Sequence, residues 1–356
     1  MSEKFGVAVI GYGGMGGWHV RKLQTMEEIR LCGVYDIDPA RNAAAERAGV
    51  HAYSSLEELL GDPQVRSVTI AIPNDQHKDM AIRAMNAGKH VVCEKPVALS
   101  TDEVVEMIKA SKANKVIFTV HQNRRWDEDY LTIKRIYDEG RLGRVFKIES
   151  RVHGSRGIPS DWRNQKAYGG GMVLDWGIHL LDQLLMMVKE PVVSVYADLD
   201  NVTNQEVDDG FKAIIHFAPK AAGDPPLSCH VEVGTSNFIN LPRWYMLGEN
   251  GSAVIEGWDL KGKIVMVSDW EKRDAVPVVT AAGLTKTMAP RTEETIQQFP
   301  LPEVESDVRD FYRNLIEAAE GRAEQIVKHR EILRSMKLME AILLSGQSGE
   351  AVHWII

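Results

Sequence analysis

Apolar positions along the first third of the chain fall in short runs separated by amphipathic stretches. Residues 5–10 form a β-branched apolar run, 18–26 carry a helical pattern, and 29–35 form a second run. The rhythm repeats as helix 39–48, short strand 51–53, helix 56–60, strand 67–72, helix 77–87, strand 90–93, helix 101–113 and strand 116–120. Strands separated by helices of this length imply right-handed crossovers and a doubly wound parallel sheet. After a helix at 129–139 the pattern changes. Strands at 145–152, 192–199, 210–217, 227–235, 243–247, 252–256 and 263–267 follow with one helix, 172–188, among them, which indicates a large, mostly antiparallel sheet in an α+β domain. Residues 273–302 lack periodicity and read as a long loop. Amphipathic helices are expected at 304–319 and 325–345, and 351–356 as a strand or apolar tail. The division is residues 1–123 for the first domain and 124–356 for the second, whose last helices have the option of packing back on the first.

The turn after the first strand is Gly11-Tyr12-Gly13-Gly14-Met15-Gly16, glycines in G-x-G-x-x-G register between a strand and a helix. Glycine at these places permits the tight turn, lets backbone approach a pyrophosphate and lets helix pack on strand, while the helix N-terminus attracts negative charge. The second strand ends in Asp36, placed to take ribose hydroxyls and to repel a 2′-phosphate. NAD is therefore expected over NADP, with nearby Arg41 the one residue pointing the other way.

Composition narrows the partners. With 356 residues, 44% hydrophobic, the chain is long enough for two cored domains. A formal charge of −8 without blocks of Lys or Arg argues against nucleic acid and anionic membrane. No apolar stretch approaches the ~20 residues of a membrane span, and the first strand lies too close to Met1 for a cleavable leader, so a cytoplasmic protein is expected. Cys32, Cys93 and Cys229 are scattered and read as reduced thiols. Histidines and cysteines show no ligand spacing, so no metal is expected.

Loops at the carboxyl ends of parallel strands should form one rim, and three of them are rich in polar residues: Pro73-Asn74-Asp75-Gln76-His77, Glu94-Lys95-Pro96 and His121-Gln122-Asn123. Helix 172–188 follows Gly169-Gly170-Gly171 and is apolar except for Asp175, His179, Asp182 and Gln183. Asp175 and His179, four apart, share a face and can either hydrogen-bond or jointly face a cavity.

The segments VAVIGYGGMG, AIPNDQH, CEKPVALS, HQNRRW, DWR and GGGMVLDWGIHLLD resemble, in order and spacing, the glucose-fructose oxidoreductase, inositol dehydrogenase and rhizopine-catabolism family, Gfo/Idh/MocA. The resemblance implies an NAD-dependent oxidoreductase that moves a hydride at a secondary hydroxyl of a sugar or cyclitol. It implies catalytic roles for Lys95, Asp175 and His179, with His179 as proton acceptor and Lys95 on the substrate oxygen, and a cis Lys95-Pro96 bond. Around the dinucleotide it places Gly11, Tyr12, Gly13, Gly14, Met15, Gly16, Asp36, Pro73, Asn74, His77, Glu94, Lys95, Asn123, Trp162 and Arg163. Substrate contacts are expected from Lys95, Arg124, His153, Arg156, Asp175, Trp176 and His179, with Arg125 and Trp126 nearby. A homo-oligomer, dimer or tetramer, built on the second sheet is also implied. Two rival functions stand beside this one: a glycosidase that retains and recycles its NAD, and a non-catalytic dinucleotide-binding regulator.

Overall fold

β1 (Phe5–Ile10) is buried at every position, as a central strand covered on both faces must be. In the computed structural model, which describes residues 4–221, 223–272 and 276–356, it is followed by α1 (Gly14–Leu23), β2 (Ile29–Tyr35), α2 (Pro39–Arg47) and α3 (Leu56–Gly61). Then come β3 (Ser67–Ile70), α4 (His77–Asn86), β4 (His90–Cys93), α5 (Thr101–Asn114) and β5 (Phe118–Val120). These five strands pair in parallel in the order β2-β1-β3-β4-β5. The short strand expected at 51–53 shrinks to a parallel bridge between Ala52 and Val34, flanked by Val34 N–H to His51 O and Tyr53 N–H to Val34 O. Counting that edge, the order is that of a dinucleotide-binding Rossmann sheet, whose direction of winding reverses between β1 and β3. The crevice at that reversal is where the glycine turn lies.

The second half holds α6 (Glu128–Asp138), β6 (Val145–His153), α7 (Ile178–Met187), β7 (Val192–Asp200), β8 (Gly210–Phe217) and β9 (Leu227–Gly234). After these run β10 (Trp244–Gly248), β11 (Gly251–Ile255), β12 (Gly262–Val267), β13 (Val278–Thr280), β14 (Gly283–Thr285) and β15 (Ile296–Phe299). Two helices, α8 (Asp310–Ala319) and α9 (His329–Ser348), complete the set. Eight of the strands form one sheet in the order β15-β12-β11-β10-β6-β9-β8-β7, antiparallel except for the parallel neighbours β6 and β9. One face covers α7, where Gln183 Oε1 accepts from the buried Arg243, itself bonded to Ser150 of β6.

Several boundaries differ from the sequence expectation for physical reasons. α1 starts at Gly14, inside the glycine turn, which aims its first amides at the crevice. The expected helix 172–188 opens with a π-helical turn, Val173–Gly177, before α7 proper. Within the expected loop 273–302, residues 273–275 lie outside the described part, but β13 and β14 form a hairpin and β15 extends the large sheet as its edge. Its pattern, Ile296-Gln297-Gln298-Phe299, is too short and too polar to announce a strand. α8 begins at Asp310 because Asp307 takes the N–H of Arg309 and arrests the chain before it. α9 begins at His329, since the Gln325 amide is spent on the carbonyls of Phe118 and Val327. The tail pairs with β7 through Val352 and Val195 and through Ile356 and Val192. Among the described residues no helix is long and apolar enough to cross a membrane.

Candidate active site

The glycine turn is a fitted backbone cradle. A Cβ at Gly16 would lie 1.8 Å from Gly11 O, so only glycine lets α1 approach β1 this closely. A Cβ at Gly14 would meet nothing within 4 Å, leaving room above the helix N-terminus for a pyrophosphate. Tyr12 flanks the turn, and Met15 stands exposed at its lip. Asp36 Oδ2 accepts the Tyr12 amide at 2.7 Å and Oδ1 the Asp38 amide at 2.9 Å. A carboxylate offers about four lone-pair positions, so two remain for ribose hydroxyls. Arg41 arches over Gly13, its Nη1 4.0 Å from Asp36 Oδ2. These residues suit the adenosine and pyrophosphate of NAD.

The rim beyond β3, β4 and β5 is tied together by buried polar groups. Pro73 is exposed at the rim, and the next residue, Asn74, donates to Gly169 O at 3.3 Å. His77 lies between Ile72 O and Pro96 O, 2.9 and 2.8 Å away, and so links two rim loops rather than facing the crevice. Glu94, 5% exposed, directs Oε1 at both His19 Nε2 and His121 Nδ1, each 2.8 Å distant, and Oε2 at the Lys95 amide. Burial alone would raise the Glu94 carboxyl, but His121 and His19 overcome this and hold it well below the usual carboxylate range. His19 Nδ1 in turn contacts the Tyr312 hydroxyl of α8 at 2.7 Å. The Lys95-Pro96 bond is cis.

Lys95 Nζ crosses to the second half and bonds both Asp175 O and Asp175 Oδ1 at 3.0 Å. Arg163 Nε holds the other oxygen, Asp175 Oδ2, at 2.9 Å, and Asp161 steadies that guanidinium. Burial of Asp175 works to raise its carboxyl, yet Lys95 and Arg163 outweigh it and the group is lowered. Asp175 is thus shared by two cations and has no hydrogen bond to His179 among the described residues. The π-helical turn sets this register, and such turns recur at functional sites. His179 is 4% exposed, with Nδ1 buried and unpartnered. Burial first, then the cations Lys95 and Arg124, depress it well below the ordinary histidine value, so the ring is neutral and able to accept a proton. Trp176 lies edge-on to it at 5.7 Å. Arg124 sits over Trp176 at 4.3 Å and over Trp258 at 5.2 Å, with Asp127 on its Nη1.

The remaining expected residues separate clearly. Asn123 has a buried, unpartnered Oδ1 at the rim, and Trp162 packs under its neighbour Arg163 at 4.4 Å. His153 does not join this cluster: it lies on the sheet face opposite Ser150 and pairs with Glu232 at 3.2 Å. Arg156 is exposed on the loop after β6. Arg125 is turned inward, bidentate to Asp182 at 2.6 and 2.7 Å and paired with Glu331. Sequence spacing missed His19, Tyr312 and Trp258, which fold brings in from distant positions. It also missed that His19, Glu94 and His121 place ligand-type atoms together. Their 2.8 Å contacts match N–H···O bonds and are tighter than the roughly 3.3 Å between donors of a tetrahedral zinc site.

Comparison with known proteins accords with this geometry. Residues 5–122 match the Gfo/Idh/MocA oxidoreductase family model, described as an NAD-binding Rossmann fold, and residues 130–254 match a C-terminal domain model of the same family. The chain is 30% identical to the uncharacterized oxidoreductase YdgJ of Escherichia coli, over 96% of each. It is 25% identical to scyllo-inositol 2-dehydrogenase (NADP(+)) IolW of Bacillus subtilis, over 97% of this chain and 95% of the other. A crystal structure of an NAD-binding protein from Listeria innocua is 43% identical, with a TM-score of 0.94, covering 99% of this chain and 100% of that one. Because the two family models together span well over half of the chain, in order, this protein belongs to the Gfo/Idh/MocA family of NAD-binding oxidoreductases.

Proposed function

We propose that the protein is an NAD-dependent dehydrogenase that converts a secondary hydroxyl of a sugar, sugar derivative or cyclitol to the ketone, and runs the reverse reduction. The observation that carries this is the meeting of Lys95, Asp175 and His179 beside the glycine cradle, with a neutral, unpartnered imidazole among cations. NAD, when bound, supplies the hydride acceptor for oxidation. The chain's own residues do the rest. His179 accepts the hydroxyl proton as the carbonyl forms. Lys95, fixed by Asp175, donates to the substrate oxygen and stabilises negative charge gathering on it. Asp175 and Arg163 hold Lys95 and the arm 157–166 in register. Trp176, Arg124 and Trp258, stacked beside His179, offer apolar rings and a guanidinium to the ring and hydroxyls of a polyol. The two domains, divided near residue 123, meet at this cluster, and the outer face of the large sheet is the proposed oligomer surface. The similarity to IolW, a scyllo-inositol 2-dehydrogenase, supports a cyclitol as first probe.

The test follows nicotinamide absorbance on mixing the protein and NAD with hexoses, glycosides, inositols and sugar acids, alongside Lys95→Ala and His179→Ala. NADH formed from one compound, and lost in both variants, is the expected result. Bound dinucleotide without turnover, or aglycone released without net NADH, would overturn it in favour of a regulator or a redox glycosidase.

A further inference from the structure

Asp208 is a buried carboxylate that the hydride-transfer scheme leaves unused. It is the last residue but one of the loop 201–209 between β7 and β8, and no cation pairs with it among the described residues. Its Oδ2 accepts the Val173 amide at 2.8 Å and its backbone oxygen the Met172 amide at 3.0 Å. Those amides open the π-helical turn that carries Asp175, and helix-opening N–H groups have no partner within their own helix. Gly171, at φ +106°, brings backbone so close that a Cβ there would lie 2.3 Å from Asp208 Oδ1. The same loop grips the arm bearing Arg163: Asn204 Nδ2 donates to Asn164 O at 3.2 Å, and Glu206 Oε1 accepts the Lys166 amide at 3.0 Å. Asp209 in turn holds the loop itself, accepting from the amides of Val202, Thr203 and Asn204.

We propose that Asp208 is a positioning residue of the active site: by fixing the first amides of the turn, it sets where Asp175 meets Lys95 and Arg163. Its catalytic consequence rests on the dehydrogenase function proposed above; its structural consequence does not. The charged group that acts on Asp208 is Asp209 on the same loop, which also acts on Asp200 of β7. Burial, opposed by the Val173 and Met172 amides and reinforced by Asp209, pushes the Asp208 carboxyl up to about 7. The cap therefore gains charge as pH rises through neutrality, and stability contributed by its protonated form declines from about pH 4 to 7.

Asp208→Asn keeps the acceptor and removes the charge, whereas Asp208→Ala removes both. Hydrogen exchange of the protein without ligand is measured first. The alanine variant should exchange roughly tenfold faster at amides 172–177 and faster at 157–166, the scale of one lost helix cap, and asparagine should restore protection. Kinetics with NAD and the polyol that the wild type oxidises best should show kcat lowered in the alanine variant at unchanged KM for NAD. A bend in the wild-type pH profile near 7 should be absent from the asparagine variant. Unchanged exchange at 172–177 in Asp208→Ala, or acceleration spread evenly over the chain, would overturn the proposal. If the wild type turns over nothing, the dehydrogenase function fails, while the exchange result still decides the role of Asp208.

Discussion

The two halves of the molecule hold their shares of the site by different means. In the parallel-sheet half the cradle is backbone: glycines, helix-opening amides and an Asp36 carboxylate steadied by two N–H groups. The other half works through side-chain charge, with Asp175 shared by its own Arg163 and by Lys95 reaching across from the first half, and Arg124 lying over two tryptophans. A backbone cradle fails through added volume and tolerates exchange of side chains around it. An ionic cluster fails through a missing charge while the fold survives. Cofactor binding and turnover should therefore be separable by mutation.

The sharpest break is in the ionic cluster where the halves meet. Lys95→Ala and His179→Ala should lower kcat by roughly 10²- to 10⁴-fold while NADH affinity, read by fluorescence titration, changes little. Comparable losses of NADH binding would show that the halves are not independent. In the backbone half, Gly16→Ala drives a methyl against Gly11 O and should weaken NADH binding by about 10- to 100-fold, with circular dichroism reporting whether the sheet stays folded.

Titration sharpens the contrast further. Since His179 is held well below the ordinary histidine value and must be neutral to accept a proton, kcat/KM for oxidation should hold as pH falls through 6.5 and drop only well below it. An acid limb centred at 6.5 or higher that survives in Asp208→Asn would exclude His179 as the titrating base. The lowered Asp175 carboxyl carries the opposite sign: its stabilisation is present above the unfolded value near 4 and lost as pH falls through the folded one. The melting-point deficit of Asp175→Asn, expected at roughly a few degrees near neutrality, should shrink between pH 5 and 3. The smallest effect is at Arg41, half-exposed above Gly13: Arg41→Ala should cost NADP a few-fold in affinity, roughly the value of one exposed ionic contact, and leave NAD nearly unchanged.

Local features of the site were legible in the sequence. The glycine turn between strand and helix, Asp36 at the end of the next strand, and Lys95 between an apolar strand and a proline are each encoded within a few residues. What the fold adds is long-range. His19 and His121 converge on Glu94 Oε1, and Tyr312 backs His19, from three elements, so no spacing could announce them, while Glu94 Oε2 takes the Lys95 amide. Arg163, expected at the dinucleotide, also grips Asp175, a contact across 12 residues that no helix or strand period encodes. Strand alternation cannot say which face meets the helix, and His153 fell on the other one.

The parallel pairing of β6 with β9 has a bearing on synthesis. β6 takes β9 on one flank and β10 on the other, and both are translated after it. As the chain leaves the ribosome, β6 waits with both edges open while α7, β7 and β8 emerge. Unpaired edges of this kind are templates for pairing between chains. Slow translation between residues 153 and 227 would lengthen that exposure, and early shielding of β6 by a chaperone would raise the yield of native protein.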